Sequence, residues 1–316
     1  MEENPITQPG RPRLDPLTCE PRKPEPDGNG TSDAPLAIRC WGTRGSVPSP
    51  GAATARFGGN TSCVEVRAGE SRIIFDAGTG IRFLGDSLLR EEGSSAIIFL
   101  THFHWDHIQG FPFFAPLHKP GFELGIVGPE QEGGDVQSLL TILMRPEFFP
   151  IPFDVIAASL TYDGLTEECR QIGDLSVRAM RMRHPSHTVG YRAEAFGKTV
   201  VFIPDNELTG GVFRTSPGWT RELEEFAAGA DLLLHDAMFT DEEYPAREGW
   251  GHSTFTQVLT LAERAGVKRV SFFHHAPGRS DTELEAIVEE KKRYVENRGL
   301  AIRLEAASEG AEILLA

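Results

Sequence analysis

From about residue 36 onward the chain is a succession of short apolar runs broken by Gly-, Pro- and Asn-rich stretches. The runs at 36–41, 63–68, 72–75, 96–100 and 123–127 predict strands. The Gly-, Pro-, Ser- and Thr-rich stretch 42–60 predicts a long loop. Asp76-Ala77-Gly78-Thr79-Gly80 reads as a turn, and a 3.6-residue apolar period follows over 81–90, with a second helix over 135–144. The second half repeats the style. Strands are expected at 176–183, 231–235 and 269–273, and a hairpin of 190–195 with 199–203 turns at Gly197-Lys198. Helices are expected at 222–228, 254–265 and 281–297, and a closing pair at 301–306 and 312–315. Strands and helices mixed in two similar halves predict an α/β (α+β) fold with two sheets face to face under helices, formed by one domain over 35–316. Residues 1–34 hold seven prolines and almost no apolar cluster, which predicts a disordered Pro-rich tail.

Composition narrows the partners. A net charge of −15 repels phosphate backbones at long range, so extended nucleic-acid binding is disfavoured. A small phosphorylated substrate is still admissible, because bound dications set the potential of a site. The cysteines Cys19, Cys40, Cys63 and Cys169 form no C-x-x-C pair, which argues against a structural zinc site. Sparse cysteine, no stretch of membrane-span length and no apolar signal core together predict a cytoplasmic protein. A homodimer is left open.

The chemistry concentrates in Thr101-His102-Phe103-His104-Trp105-Asp106-His107, directly after the apolar run 96–100. His102 and His104 are two apart and project to one side in extended geometry. Asp106 and His107 follow where a helix begins. Neutral imidazoles and a carboxylate at this density suit zinc, manganese or iron. Further ligands are expected at later strand ends. His184 and His187 flank Pro185 after the strand 176–183, Asp205 follows the strand 199–203, and His274 and His275 follow the strand 269–273. Within each histidine pair the residues alone leave the choice open.

The pattern H-x-H-x-D-H resembles the signature of the metallo-β-lactamase superfamily. The resemblance implies a four-layer αββα sandwich and a binuclear site. In the tRNase Z-like branch a ligand histidine lies six residues before Gly-Tyr-Arg, which here selects His184 ahead of Gly190-Tyr191-Arg192. The branch pattern selects His274 over His275 and makes Asp205 the bridging carboxylate. One cation is then expected on His102, His104 and His184, and the other on Asp106, His107 and His274. The two would be Zn2+, with Mn2+ or Fe2+ as alternatives.

Leu234-His235-Asp236-Ala237 and Gly251-His252-Ser253-Thr254 resemble the paired acid and histidine motifs of the same branch. There the acid orients a histidine that protonates the leaving oxygen. Asp236 would be that acid, where tRNase Z usually carries Glu, and His252 the proton donor. Alternatively, Ser253 simply caps the helix near Thr254, and Asp236 is a turn residue. The stretches 41–46 and 57–62 resemble bacterial metal-dependent hydrolases, themselves similar to enzymes that cleave cyclic nucleotides. Arg44 and Asn60 are therefore candidate phosphate or base contacts, and Gly-rich surface turns explain them equally well. The expected function is a metal-dependent phosphodiesterase on a small cyclic-nucleotide-type substrate, with Asp106, Asp236 and His252 catalytic. The alternatives are tRNA 3′ processing, hydrolysis of an ester or lactone, and a silent sensor.

Overall fold

The computed structural model describes residues 35–91, 93–165 and 169–316. The expected tail over 1–34 lies outside the described residues. The first sheet takes β1 (Leu36–Gly42), β2 (Cys63–Ala68), β3 (Ser71–Phe75), β4 (Ser95–Phe99), β5 (Glu123–Pro129) and β6 (Ser159–Leu165). The second takes β7 (Cys169–Ile172), β8 (Leu175–Arg181), β9 (Val189–Ala195), β10 (Lys198–Ile203), β11 (Leu232–Asp236), β12 (Arg269–Phe273) and β13 (Arg303–Ala306). The last strand, β14 (Glu312–Leu315), returns to pair antiparallel with β1. Among the described residues each sheet has seven strands, in the orders β14-β1-β2-β3-β4-β5-β6 and β13-β12-β11-β10-β9-β8-β7.

Apolar residues alternate toward a shared interior. Phe75 of the first sheet stacks on Tyr191 and Phe202 of the second, with ring centroids 5.1 and 5.2 Å apart. The outer face of the first sheet is covered by α1 (Ile81–Arg90) and α3 (Val136–Leu143). Between them in sequence lies the single turn α2 (Trp105–Ile108). The outer face of the second sheet is covered by α4 (Trp219–Ala227), α5 (Phe255–Ala265) and α6 (Asp281–Asn297). The layers are helix, sheet, sheet, helix, as the sequence leads one to expect.

Two strands escape sequence reading. Both β6 and β7 lie at sheet edges with most residues half-exposed or exposed, so neither shows the buried stripe that betrays the others. In each sheet several strands run parallel: β3 through β6, and β10 through β13. In open α/β sheets, side chains for chemistry gather beyond the C-terminal ends of such strands. The ends of β4, β8, β10, β11 and β12 are followed or closed by residues 101–107, His184, Asp205, Asp236 and His274.

Candidate metal centre

The tautomer of each histidine is set by what its outer nitrogen touches. His107 Nδ1 donates to Asp76 Oδ2 at 2.7 Å, which turns Nε2 inward. His184 Nδ1 donates to the Gly251 carbonyl at 3.1 Å. His102 Nδ1 donates to Thr101 Oγ1 at 3.1 Å, and that hydroxyl donates onward to Asp76 Oδ1 at 2.9 Å. Asp76 itself is fully buried, and its Oδ1 also accepts the Thr101 amide at 2.8 Å.

The inward atoms converge. His107 Nε2 lies 2.8 Å from Asp205 Oδ2 and 3.3 Å from Asp106 Oδ2. His274 Nε2 lies 3.0 Å from Asp106 Oδ2 and 3.4 Å from Asp205 Oδ1. His184 Nε2 lies 3.1 Å from His104 Nδ1. Ligand atoms of His102, His104 and His184 fall within 4.8 Å of one another, as do those of Asp106, His107 and His274. Asp205 meets both groups, once with His102 and His107 and once with His252 and His274.

This arrangement fits cations. His102 Nε2, His107 Nε2 and Asp205 Oδ2 are buried with no hydrogen-bond partner. Buried polar atoms left in that state are costly, and a cluster of lone pairs aimed at common points is what a dication satisfies. Borderline imidazoles mixed with hard carboxylates suit zinc, manganese or iron. The electrostatics agree. Burial, with neighbouring imidazoles, keeps His102 neutral, and burial pushes His184 down to about 3. Burial works against ionised Asp106 and Asp205, but the imidazoles of His107 and His274 hold both carboxyls well below their usual range. Burial likewise opposes a charged His107, yet Asp106, Asp205 and Asp76 around it raise its affinity for a proton well above the ordinary value. That proton stands where a cation would sit. Metal uptake near neutral pH is therefore expected to release about one proton from His107, and affinity to rise with pH. Calorimetry in two buffers of different ionisation enthalpy measures this; a buffer-independent enthalpy would contradict it.

Of each histidine pair, one member lies in the cluster: His184 and His274. His187 Nδ1 instead meets the Glu130 carbonyl at 2.9 Å, on the surface. His275 Nε2 donates to the Ala307 carbonyl at 2.8 Å, away from the cluster. His274 sits at φ 55°, an uncommon conformation for a non-glycine residue, and this turns its ring into the cluster. Strand alternation cannot choose between the two, because β12 has already ended at Phe273. Gly45 lies against the His274 ring, where an added Cβ would come within 2.3 Å of it.

Beside the cluster lies a second pair. His252 Nδ1 donates to Asp236 Oδ2 at 3.0 Å, and its ring stacks on His274 with centroids 5.0 Å apart. Burial would lower the His252 pKa, but Asp236, reinforced by Asp205 and Asp106, carries it up to about 9. Asp236 is the last residue of β11 rather than a turn residue, and it also accepts from the amides of Asn206, Met238 and Ser253. Thr254, not Ser253, caps α5, in a capping box with Gln257. Ser253 is thereby free to donate from Oγ to the Asn206 carbonyl at 2.5 Å.

Arg44 is not placed to meet substrate. Its guanidinium is fully buried and donates to the carbonyls of Gly58, Ala276 and Arg279. It ties the long loop between β1 and β2 to the segment that follows β12. Asn60 donates from Nδ2 to Glu309 at 2.9 Å and lines a cavity that none of the clustered histidines borders.

Residues 71–275 match the family described as the beta-lactamase superfamily domain. The chain belongs to the beta-lactamase superfamily. Within the superfamily it is similar to Ribonuclease Z of Shouchella clausii, 30% identical over 222 residues, covering 56% of this chain and 68% of that one. Ribonuclease Z of Haloferax volcanii is 29% identical over 278 residues, 74% of this chain and 82% of that one. The metallo-beta-lactamase fold protein YhfI of Bacillus subtilis superposes with a TM-score of 0.63 at 17% identity, over 89% of this chain and 99% of that one. These relatives place the chain in the tRNase Z-like branch of the superfamily, and it is a metal-dependent hydrolase. No described helix is long and apolar enough to cross a membrane.

The sequence reading missed Asp76, taken there as a turn residue. Its place at the end of β3, before Gly-Thr-Gly, was the available signal. Because it fixes His107 directly and His102 through Thr101, Asp76→Ala is expected to weaken metal binding by roughly 10–100-fold. Competition with a chromogenic chelator measures the loss, and unchanged affinity would remove Asp76 from the site.

Proposed function

We propose that this protein is a binuclear phosphodiesterase acting on a small nucleotide-type substrate. The observation that carries the reading is the Asp236–His252 pair, buried against the candidate ligands Asp205 and His274. In this reading His102, His104 and His184 hold one cation, Asp106, His107 and His274 the other, and Asp205 lies between them. When bound, the cations would generate a nucleophile from water at neutral pH and neutralise charge on the phosphoryl oxygens. The protein's own part is the proton. His252 Nδ1 is committed to Asp236, so its Nε2–H is the end free to donate to a leaving alkoxide. An alkoxide is a poor leaving group that needs that proton, whereas a strained lactam does not need it in the same way.

A cavity of about 480 Å³ borders His252 and is lined by Ser46, Phe239, Arg247, Trp250 and Arg279 among others. That volume suits a ligand of nucleotide size. The charge of −15 favours a small substrate over a long polyanion. Zinc is the first expectation for the donor set, with manganese or iron as alternatives. The names of the Ribonuclease Z relatives support pre-tRNA cleavage as the second reading. A substrate panel decides between them, using zinc- or manganese-loaded protein with cyclic nucleotides, a chromogenic phosphodiester, pre-tRNA and a lactone. Metal-dependent turnover of cyclic nucleotides is the expected result. Turnover of pre-tRNA alone would replace the first reading with the second, and turnover of the lactone alone would overturn both.

A further inference from the structure

Two residues beyond Asp205 lies a carboxylate the reaction does not obviously use. Glu207 is fully buried. Its oxygens accept from Tyr244 Oη at 2.7 Å, from the Gly249 amide at 2.9 Å and from the Gly251 amide at 2.8 Å. Among the described residues no Lys or Arg pairs with it. A buried carboxylate held only by neutral donors is costly, because each ion must be taken out of water. Its own backbone is anchored too: the Glu207 amide donates to the Arg183 carbonyl at 2.8 Å, one residue before His184.

What Glu207 holds is the segment 244–251. Gly249 and Gly251 have φ of 87° and 90°, a conformation L side chains rarely adopt, so their amides can both turn inward to one carboxylate. The same segment touches the centre at two points. The Gly251 carbonyl accepts His184 Nδ1, and a Cβ on Gly251 would fall 2.1 Å from that nitrogen. His252 follows immediately. Arg247 and Trp250 of the segment also line the cavity beside His252.

We infer that Glu207 is a positioning residue, which fixes the 244–251 segment so that Gly251 orients His184 and His252 faces the leaving group. The inference rests on the phosphodiesterase reading for its proton-donor arm, while its metal arm stands without it. A residue that merely stabilised the segment would slow every substrate alike. One that positions the proton donor would matter most when the leaving group needs a proton.

The test compares wild type, Glu207→Ala and Glu207→Gln, each confirmed as folded by circular dichroism. Two phosphodiesters serve as substrates, one releasing p-nitrophenolate and one an alkoxide, and zinc affinity is measured by chelator competition. For Glu207→Ala, kcat on the alkoxide substrate is expected to fall at least about 10-fold further than on the nitrophenyl substrate, with KM nearly unchanged. Zinc affinity is expected to fall about 10-fold, as when a group that orients a ligand histidine is lost. Glu207→Gln keeps one carbonyl oxygen and should recover part of both losses. Equal losses on both substrates with unchanged zinc affinity would overturn the inference. Should wild type cleave neither phosphodiester, the functional reading fails, and zinc affinity alone then decides the role of Glu207. If the alanine variant does not fold, Glu207→Gln carries the same comparison.

Discussion

Asp205→Ala is expected to leave the protein folded but unable to retain either cation, and to abolish metal-dependent hydrolysis. The carboxylate is almost fully buried, with one oxygen 2.8 Å from His107 Nε2 and the other 3.4 Å from His274 Nε2. It shares a potential ligand group with His102 as well. Among the described residues no other carboxylate is grouped with histidines of both sets. Two dications held ~3.5–4 Å apart, the usual spacing of binuclear sites, repel each other strongly unless an anion lies between them. If Asp205 serves both cations, removing it would expose each to the other as well as delete a ligand from each. Asp106→Ala gives the contrast. Asp106 shares a ligand group with His107 and His274 only, so its loss should release one cation and leave the His102–His104–His184 group loaded. Metal content by mass spectrometry after dialysis distinguishes the two variants. Near-zero metal for Asp205→Ala and about one equivalent for Asp106→Ala are the expected values in this assignment. Full retention of both metals by the Asp205 variant would sink it. Without metal the same substitution need not destabilise the fold. It removes a buried charge that, lacking a cation, is balanced by the imidazoles of His274 and His107.

Most of this arrangement is readable from sequence for a physical reason. Ligands at strand ends sit directly after apolar runs, so His102, His104, Asp205 and His274 are each announced by the buried strand before them. The two-sheet architecture follows from the same runs. What resists reading is whatever depends on the path of the chain between strands. Asp76 meets His107 31 positions away and Glu207 meets the Gly251 amide 44 positions away, through contacts that no local period encodes. The choice between His274 and His275 turned on a backbone angle at a strand terminus, where alternation no longer applies. Arg44 misled for the opposite reason. A Gly-rich loop with an arginine resembles an anion cradle, but here the guanidinium is buried between the loop and the segment after β12, where it donates to the carbonyls of Gly58, Ala276 and Arg279.

His252→Ala separates the proton donor from the metal ligands. Its Nδ1 lies closer to Asp236, at 3.0 Å, than to Asp205, at 3.5 Å, so the imidazole is tied first to a carboxylate outside the two expected ligand sets. Both cations should therefore remain while turnover falls roughly 10²–10⁴-fold, the usual span for loss of a positioned acid or base, or about 3–5 kcal/mol of barrier. The pH profile carries the sign. Asp236, working against burial, raises the His252 pKa to about 9, so the acid form predominates at neutral pH and is lost as pH rises. Cations beyond Asp205 would draw that value downward, since positive charge disfavours the imidazolium. Wild-type kcat should thus fall on an alkaline limb, and that limb should vanish in His252→Ala. Asp236→Asn should move the limb to lower pH, because an amide cannot supply the charge that stabilises the imidazolium. The loss should also shrink for a substrate whose leaving group departs without a proton. A variant that keeps both metals and full activity on an alkoxide-releasing diester would mean that the leaving oxygen takes its proton from elsewhere. A variant that loses a metal instead would place His252 among the ligands, an arrangement its grouping with Asp205 and His274 makes geometrically possible.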